Sequence, residues 1–256
     1  MSATTFYPCA DSAVHMNLRG VQHLEANRFL EAITEFSRAL TTVKTVLSQQ
    51  DSNGNLIMET DEYATKEPRL IFQFAEPDDD DDDDEDEDSS SMKVDQQQEE
   101  GSPFIFKSAI VASFSCRASP AQDQDDFHSL VKFSSSILFN LALSYHLAAM
   151  EHASSNEQKM KRLLQKALTF YKLAYTMMQD TKNNGVMETM AIANNLGHVQ
   201  LTVGDSDKAR QCYEHLLSTI MFVADTGDRN SIPQFDGFFH SVQAVVLPFG
   251  TTAQAA

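Results

Sequence analysis

The stretch NLGHVQLTVGDSDKARQCYEHL, residues 195–216, holds the spacing on which the fold depends. Gly197, Ala209, Tyr213 and Leu216 follow one another at intervals of 12, 4 and 3. The same intervals separate Gly20, Ala32, Phe36 and Ala39 near the start of the chain. A third copy, Ala142, Ala167, Tyr171 and Ala174, keeps the 4 and the 3 but opens the first interval to 25. Its thirteen extra residues fall in the polar stretch from Met150 to Arg162, where a loop would absorb them at little entropic cost.

Intervals of 3 and 4 place side chains on one face of a helix. A small residue midway along a first helix lets a second helix approach, and the aromatic residue fills the space between the two. Apolar stripes at helical spacing agree: Ile33, Phe36, Leu40, Val43 and Leu47 in one copy, Leu164, Leu168, Tyr171, Tyr175 and Met178 in another. Gly204 can close one helix and Asp205 or Ser206 can open the next. Ser155 with Gln158 reads as a capping box, and Asp125 or Asp126 as the cap of the helix running to Met150.

These segments resemble tetratricopeptide repeats, whose period is about 34 residues with small and aromatic residues at such positions. Gly20, Ala32, Phe36, Ala39 and Leu40 carry the resemblance in the first copy. Asn195-Leu196-Gly197 with Asp205, Ala209 and Tyr213 carries it in the last. The middle copy keeps Asn140-Leu141-Ala142 and Tyr145, and no copy has the family's tryptophan or closing proline. The resemblance covers about half of the chain. It implies an all-α fold, a superhelical stack of about three helix pairs, with a first repeat over 11–47 and two more over 125–226. It also implies a concave groove, lined by the first helices, that binds a peptide of another protein without catalysis.

An insertion over 48–124 separates the first repeat from the second. Two runs rich in β-branched and aromatic residues, Arg69–Phe74 and Phe104–Phe114, read as a β-hairpin packed on the helices. Between them, 78–100 is acidic, then serine-rich, then glutamine-rich, a composition that buries nothing and predicts a disordered loop. The apolar segment 232–249 predicts a C-terminal cap on the last pair, since a repeat stack exposes an apolar face at its end.

Charge and motif content narrow the functions. The net charge is −18, but Asp78 to Asp88 alone supplies eleven negative charges, leaving −7 elsewhere. Neither part attracts nucleic acid or an anionic membrane, whereas a basic protein partner is electrostatically permitted. Cys9, Cys116 and Cys212 form no CxxC pair, so neither a disulfide framework nor a zinc site is expected. No secretory signal is visible, and Ile137–Met150 is too short and polar to span a bilayer; it predicts a buried helix in a cytoplasmic or nuclear protein. No catalytic or nucleotide-binding motif is present, so no enzyme activity, cofactor or metal is expected.

The first helices place Asn17 and Val21, then Asn140, Leu143 and His146, then Asn194, Asn195 and His198 on the groove. An amide side chain both donates and accepts, so these asparagines suit the main chain of an extended peptide, or else bonds between neighbouring helices. Chaperone-tail-binding relatives resemble one another in a basic clamp, whose places here hold Asn17, Ala191 and Asn195, none of them basic. A histone-chaperone-like binder that draws basic proteins to Asp78–Asp88 is the alternative reading.

Overall fold

A computed structural model describes residues 6–52, 103–111, 123–179, 185–226 and 234–246. Among the described residues there are seven helices: α1 (Phe6–Glu25), α2 (Phe29–Ser52), α3 (Asp123–Glu151), α4 (Glu157–Gln179), α5 (Val186–Thr202), α6 (Ser206–Thr226) and α7 (Phe235–Val245). The fold is all-α. α1 packs on α2, α3 on α4 and α5 on α6, and these pairs are joined in series by α2 against α3 and α4 against α5. α7 closes the far end against α6 and α5, where the sequence predicts a cap.

Each pair is an antiparallel hairpin: as numbers rise along α1, their partners fall along α2, Met16 meeting Thr42 and Gly20 meeting Phe36. The repeated small and aromatic residues are the contact itself. A Cβ built on Gly20 would lie 2.6 Å from the ring of Phe36, and one on Gly197 2.9 Å from the ring of Tyr213. Ala32, Phe36 and Ala39, Ala167, Tyr171 and Ala174, and Ala209, Tyr213 and Leu216 are all fully buried. So the aromatic ring lies over the glycine.

The turns repeat as well. Asn27 (φ 57°) and Gly204 (φ 90°) both adopt the left-handed conformation seven residues after their repeat glycine. After each, two amides fold back onto the last turn of the helix: Asn27 N–H to Leu24 and Arg28 N–H to His23, Gly204 N–H to Leu201 and Asp205 N–H to Gln200. Asp205 then accepts the amide of Lys208 and opens α6. In the middle pair the cap is Asn156, which accepts the amide of Lys159 at 2.9 Å, one residue later than the expected Ser155. α3 begins at Asp123, earlier than a cap at Asp125 or Asp126 implies.

The extra residues of the middle pair do not form a long loop. Gly20 and Gly197 stand five residues before the end of their helices and Ala142 nine; Ala32 and Ala209 stand three residues into theirs and Ala167 ten. The insertion therefore lengthens α3 and α4, and the turn between them is only residues 152–156. A longer hairpin tip satisfies its backbone internally, which a polar loop of that length would not.

The expected β-hairpin is not found among the described residues. Arg69–Phe74, the acidic stretch 78–100 and the last residues of Phe104–Phe114 lie outside the described residues, as do 232–233 and 247–249 of the capping segment. The described part, 103–111, is extended, yet among the described residues there is no strand for it to pair with. Its Phe106 and Ile110 are buried against helices, and its backbone bonds go to side chains. No helix among the described residues is long and apolar enough to cross a membrane; Ile137–Ala149 is buried apart from half-buried Tyr145.

Replacing Gly20 with Val should cost about 1–3 kcal/mol through collision with Phe36. Chemical denaturation checks this, and adding Phe36→Leu to the same chain should recover most of the loss.

Candidate functional site

α3 and α5 are buried almost all round, yet both carry polar residues: Ser134, Ser135, Ser136, Asn140, Ser144 and His146 on the first, Asn194, Asn195, His198 and Gln200 on the second. The serines of α3 bond back to carbonyls three or four residues earlier on their own helix. The asparagines are different, because their amides leave the helix and hold the segment 103–111.

Asn195 Oδ1 accepts the N–H of Phe106 at 2.9 Å while its Nδ2 donates to the Phe106 carbonyl at 2.8 Å. Asn140 treats Ile110 identically, accepting at 2.8 Å and donating at 2.9 Å. One amide thus replaces both bonds that a neighbouring strand would make to a residue. At the other end, Asn194 Nδ2 donates to the Phe104 carbonyl at 2.8 Å, and Ser241 Oγ of α7 accepts the Phe104 N–H at 3.0 Å. The segment therefore runs from α7 over α5 to α3.

Apolar contacts set the register of the segment. Phe106 is 1% exposed, stacked on Phe238 of α7 (centroids 5.4 Å apart) and tilted against Phe139 of α3 (6.4 Å). Phe104 meets Phe238 edge-on at 5.8 Å and lies against Gly237, where a Cβ would come within 2.8 Å of its ring. Ile110 is 5% exposed. Burying two such side chains contributes roughly 1.5–3 kcal/mol each. Leaving Asn140 or Asn195 buried and unpaired would cost about 1–3 kcal/mol apiece.

Beneath the segment a chain of polar groups crosses between the second and third pairs. Asn195 Nδ2 also reaches the Tyr171 hydroxyl of α4 at 3.2 Å; Tyr171 lies 3.4 Å from His146 Nδ1; and His146 Nε2 lies 3.1 Å from His198 Nδ1. Between His146 and His198 one nitrogen must donate and the other accept, so the two rings cannot both be charged. Burial holds His146 well below the usual histidine range, with His198 and Lys107 adding to the effect, and burial lowers His198 to about 4. Tyr213, at the place of Tyr171 in the third pair, has α7 instead of a fourth pair beside it, and its buried hydroxyl meets no partner.

Of the groove residues expected from sequence, Asn140, Asn194 and Asn195 thus share one extended ligand, and His146 and His198 share one contact. Leu143 and Val21 are buried core. Asn17, in α1, is 1% exposed, and neither its Nδ2 nor its Oδ1 has a hydrogen-bond partner. Ser241 and Gly237 were not expected; nothing in their spacing announces that α7 contributes to this site. Burial pushes the Cys212 thiol up to about 11, away from a nucleophile's range. Among the described residues no group of three or more His, Cys, Asp or Glu is placed to hold a metal ion. Comparison of the chain with protein-family models, with curated proteins and with solved structures gives no match.

The histidine pair makes stability acid-sensitive. Both rings titrate lower in the folded chain than the ordinary 6.5. The unfolded chain therefore binds more protons below that pH, and stability falls as pH falls from about 6.5 toward 4. The expected loss is roughly 1.4 kcal/mol per histidine for each pH unit in that window. Urea denaturation between pH 7.5 and 5 checks it: His146→Gln should remove about half of the dependence, and a flat profile in the parent chain would contradict it.

Proposed function

We propose that this protein is a tetratricopeptide-like repeat scaffold that binds a partner protein non-enzymatically, holding an extended segment across the first helices of its pairs. The observation that carries this reading is the double grip of Asn195 on Phe106 and of Asn140 on Ile110. Two amides, four residues apart along the ligand and one pair apart in the stack, read main chain rather than side chain. That is the chemistry of a peptide groove, and here its own segment 103–111 is the peptide. The series of antiparallel pairs with rings over Gly20 and Gly197 supports the repeat reading, and the stacking of pairs as a superhelix follows from it.

The Asn195 and Asn140 grips carry no formal charge, so partner binding through them should depend little on salt. The test is co-purification with the full chain at low and at high salt, alongside an Asn140→Ala/Asn194→Ala variant whose fold is verified by circular dichroism. A partner retained at high salt and lost in the folded variant is the expected result. Capture of basic proteins that wash off with salt would favour the acidic run as the binding element. Unchanged capture by the folded variant would place the partner outside the groove.

A further inference from the structure

The segment 103–111 is a specimen of what the groove accepts. It buries Pro103, Phe106 and Ile110, half-buries Phe104, Ile105 and Ala109, and exposes Ser108 and Val111. Its grip is mainly main-chain bonds and apolar contacts, with a side-chain bond from Gln234 Nε2 to Ser108 Oγ, and none of these requires that the ligand belong to the same chain. One asparagine in the same series of first helices is buried without a hydrogen-bond partner. Asn17 of α1 stands three residues before Gly20, as Asn194 stands three before Gly197. Asn194 donates to the segment, whereas both amide atoms of Asn17 are buried and unpartnered. A buried amide with no partner costs about 1–3 kcal/mol, which a main chain arriving there would recover.

We propose that segment 103–111 is a tethered occupant of the groove, displaced by an extended segment of a partner protein that repeats its apolar pattern, aromatic residues at the first and third positions and an aliphatic one at the seventh, and continues far enough to engage Asn17. The proposal rests on the scaffold reading and names its ligand. The direction of the bound segment supports the continuation: it passes Asn194 and Asn195 of α5, then Asn140 of α3, and α1 belongs to the next pair in the stack. Being tethered, 103–111 competes at an effective concentration on the order of millimolar, so a partner with the same contacts alone would be outcompeted. Pairing with Asn17 is the contact that the tethered segment lacks.

The test uses the full chain and two fluorescent peptides, PFIFKSAIV (residues 103–111) and the same peptide followed by four alanines, which adds main chain without new side-chain chemistry. Phe106→Ala weakens the tethered segment; Phe106→Leu weakens it less and serves if the first variant does not fold. Anisotropy titration should show binding to the folded Phe106 variants that is at least about a hundredfold tighter than to the parent chain, following the effective-concentration argument. The longer peptide should bind about tenfold tighter than the shorter one, the worth of a net hydrogen bond or two. Adding Asn17→Ala should erase that tenfold difference while leaving the melting temperature unchanged or higher, because it removes an unpaired buried amide.

Equal binding by parent and variants, or no binding by any folded variant, overturns the displacement. Equal affinity of the two peptides, or a marked loss of melting temperature with Asn17→Ala, overturns the role of Asn17. If the peptides fail while a partner still co-purifies at high salt, segment 103–111 is a fixed brace and the scaffold reading survives with another docking surface.

Discussion

A carboxamide that satisfies both the N–H and the C=O of a single residue is the interaction on which this molecule turns. Asn195 and Asn140 do this for Phe106 and Ile110, all four residues buried. An extended chain with no neighbouring strand would otherwise carry unpaired backbone groups into the interior, at a cost its apolar side chains could not offset. The same constraint acts in reverse on the helices. α3 and α5 can keep asparagines in a buried surface only because a main chain lies over them. Segment and helices therefore explain each other: the amides permit the burial of Phe106 and Ile110, and the segment satisfies the amides.

Around that contact the architecture is assembled from one local device, shown in the first and third pairs. A glycine on the first helix of the pair admits an aromatic ring from the second, and a left-handed residue at Asn27 or Gly204 reverses the chain. The third pair ends against α7, which supplies Phe238 and Ser241 to the segment as well as a cover for α5 and α6. The last helix thus also holds the segment. The polar chain from Asn195 through Tyr171 to His146 and His198 links the second and third pairs below it, and ties their packing to the neutral state of two histidines.

How much of this was legible in the sequence depends on the range of each contact. The ring over the glycine lies within one hairpin, so its spacing survives as an interval of 16 residues from Gly20 to Phe36 and from Gly197 to Tyr213. That the asparagines would bond main chain or neighbouring helices was legible, and Asn195 does both, through Phe106 and Tyr171. Their ligand was not legible. Phe106 and Asn195 lie 89 residues apart, and nothing in either marks the other. The β-branched and aromatic residues of Phe104–Phe114 read as one strand of a hairpin, but over the described part, 103–111, side-chain amides stand where a strand partner was expected. The thirteen extra residues of the middle pair read as a loop because their composition is polar, but polar residues also suit an exposed helical hairpin tip, which is what they form. Asn27 was missed because asparagine serves in turns of many kinds, although it stands in the register that Gly204 announces.

Hydrogen exchange at the amides of Phe106 and Ile110 in the full-length chain tests the central claim most directly. If the asparagine grip is as described, both amides exchange slowly, in the range of the buried helical amides of α3 and α5, although no strand pairs with them. Asn195→Ala should then release Phe106 before Ile110, and Asn140→Ala the reverse. Exchange of both amides in the parent chain at the rate of an unstructured peptide would contradict the account.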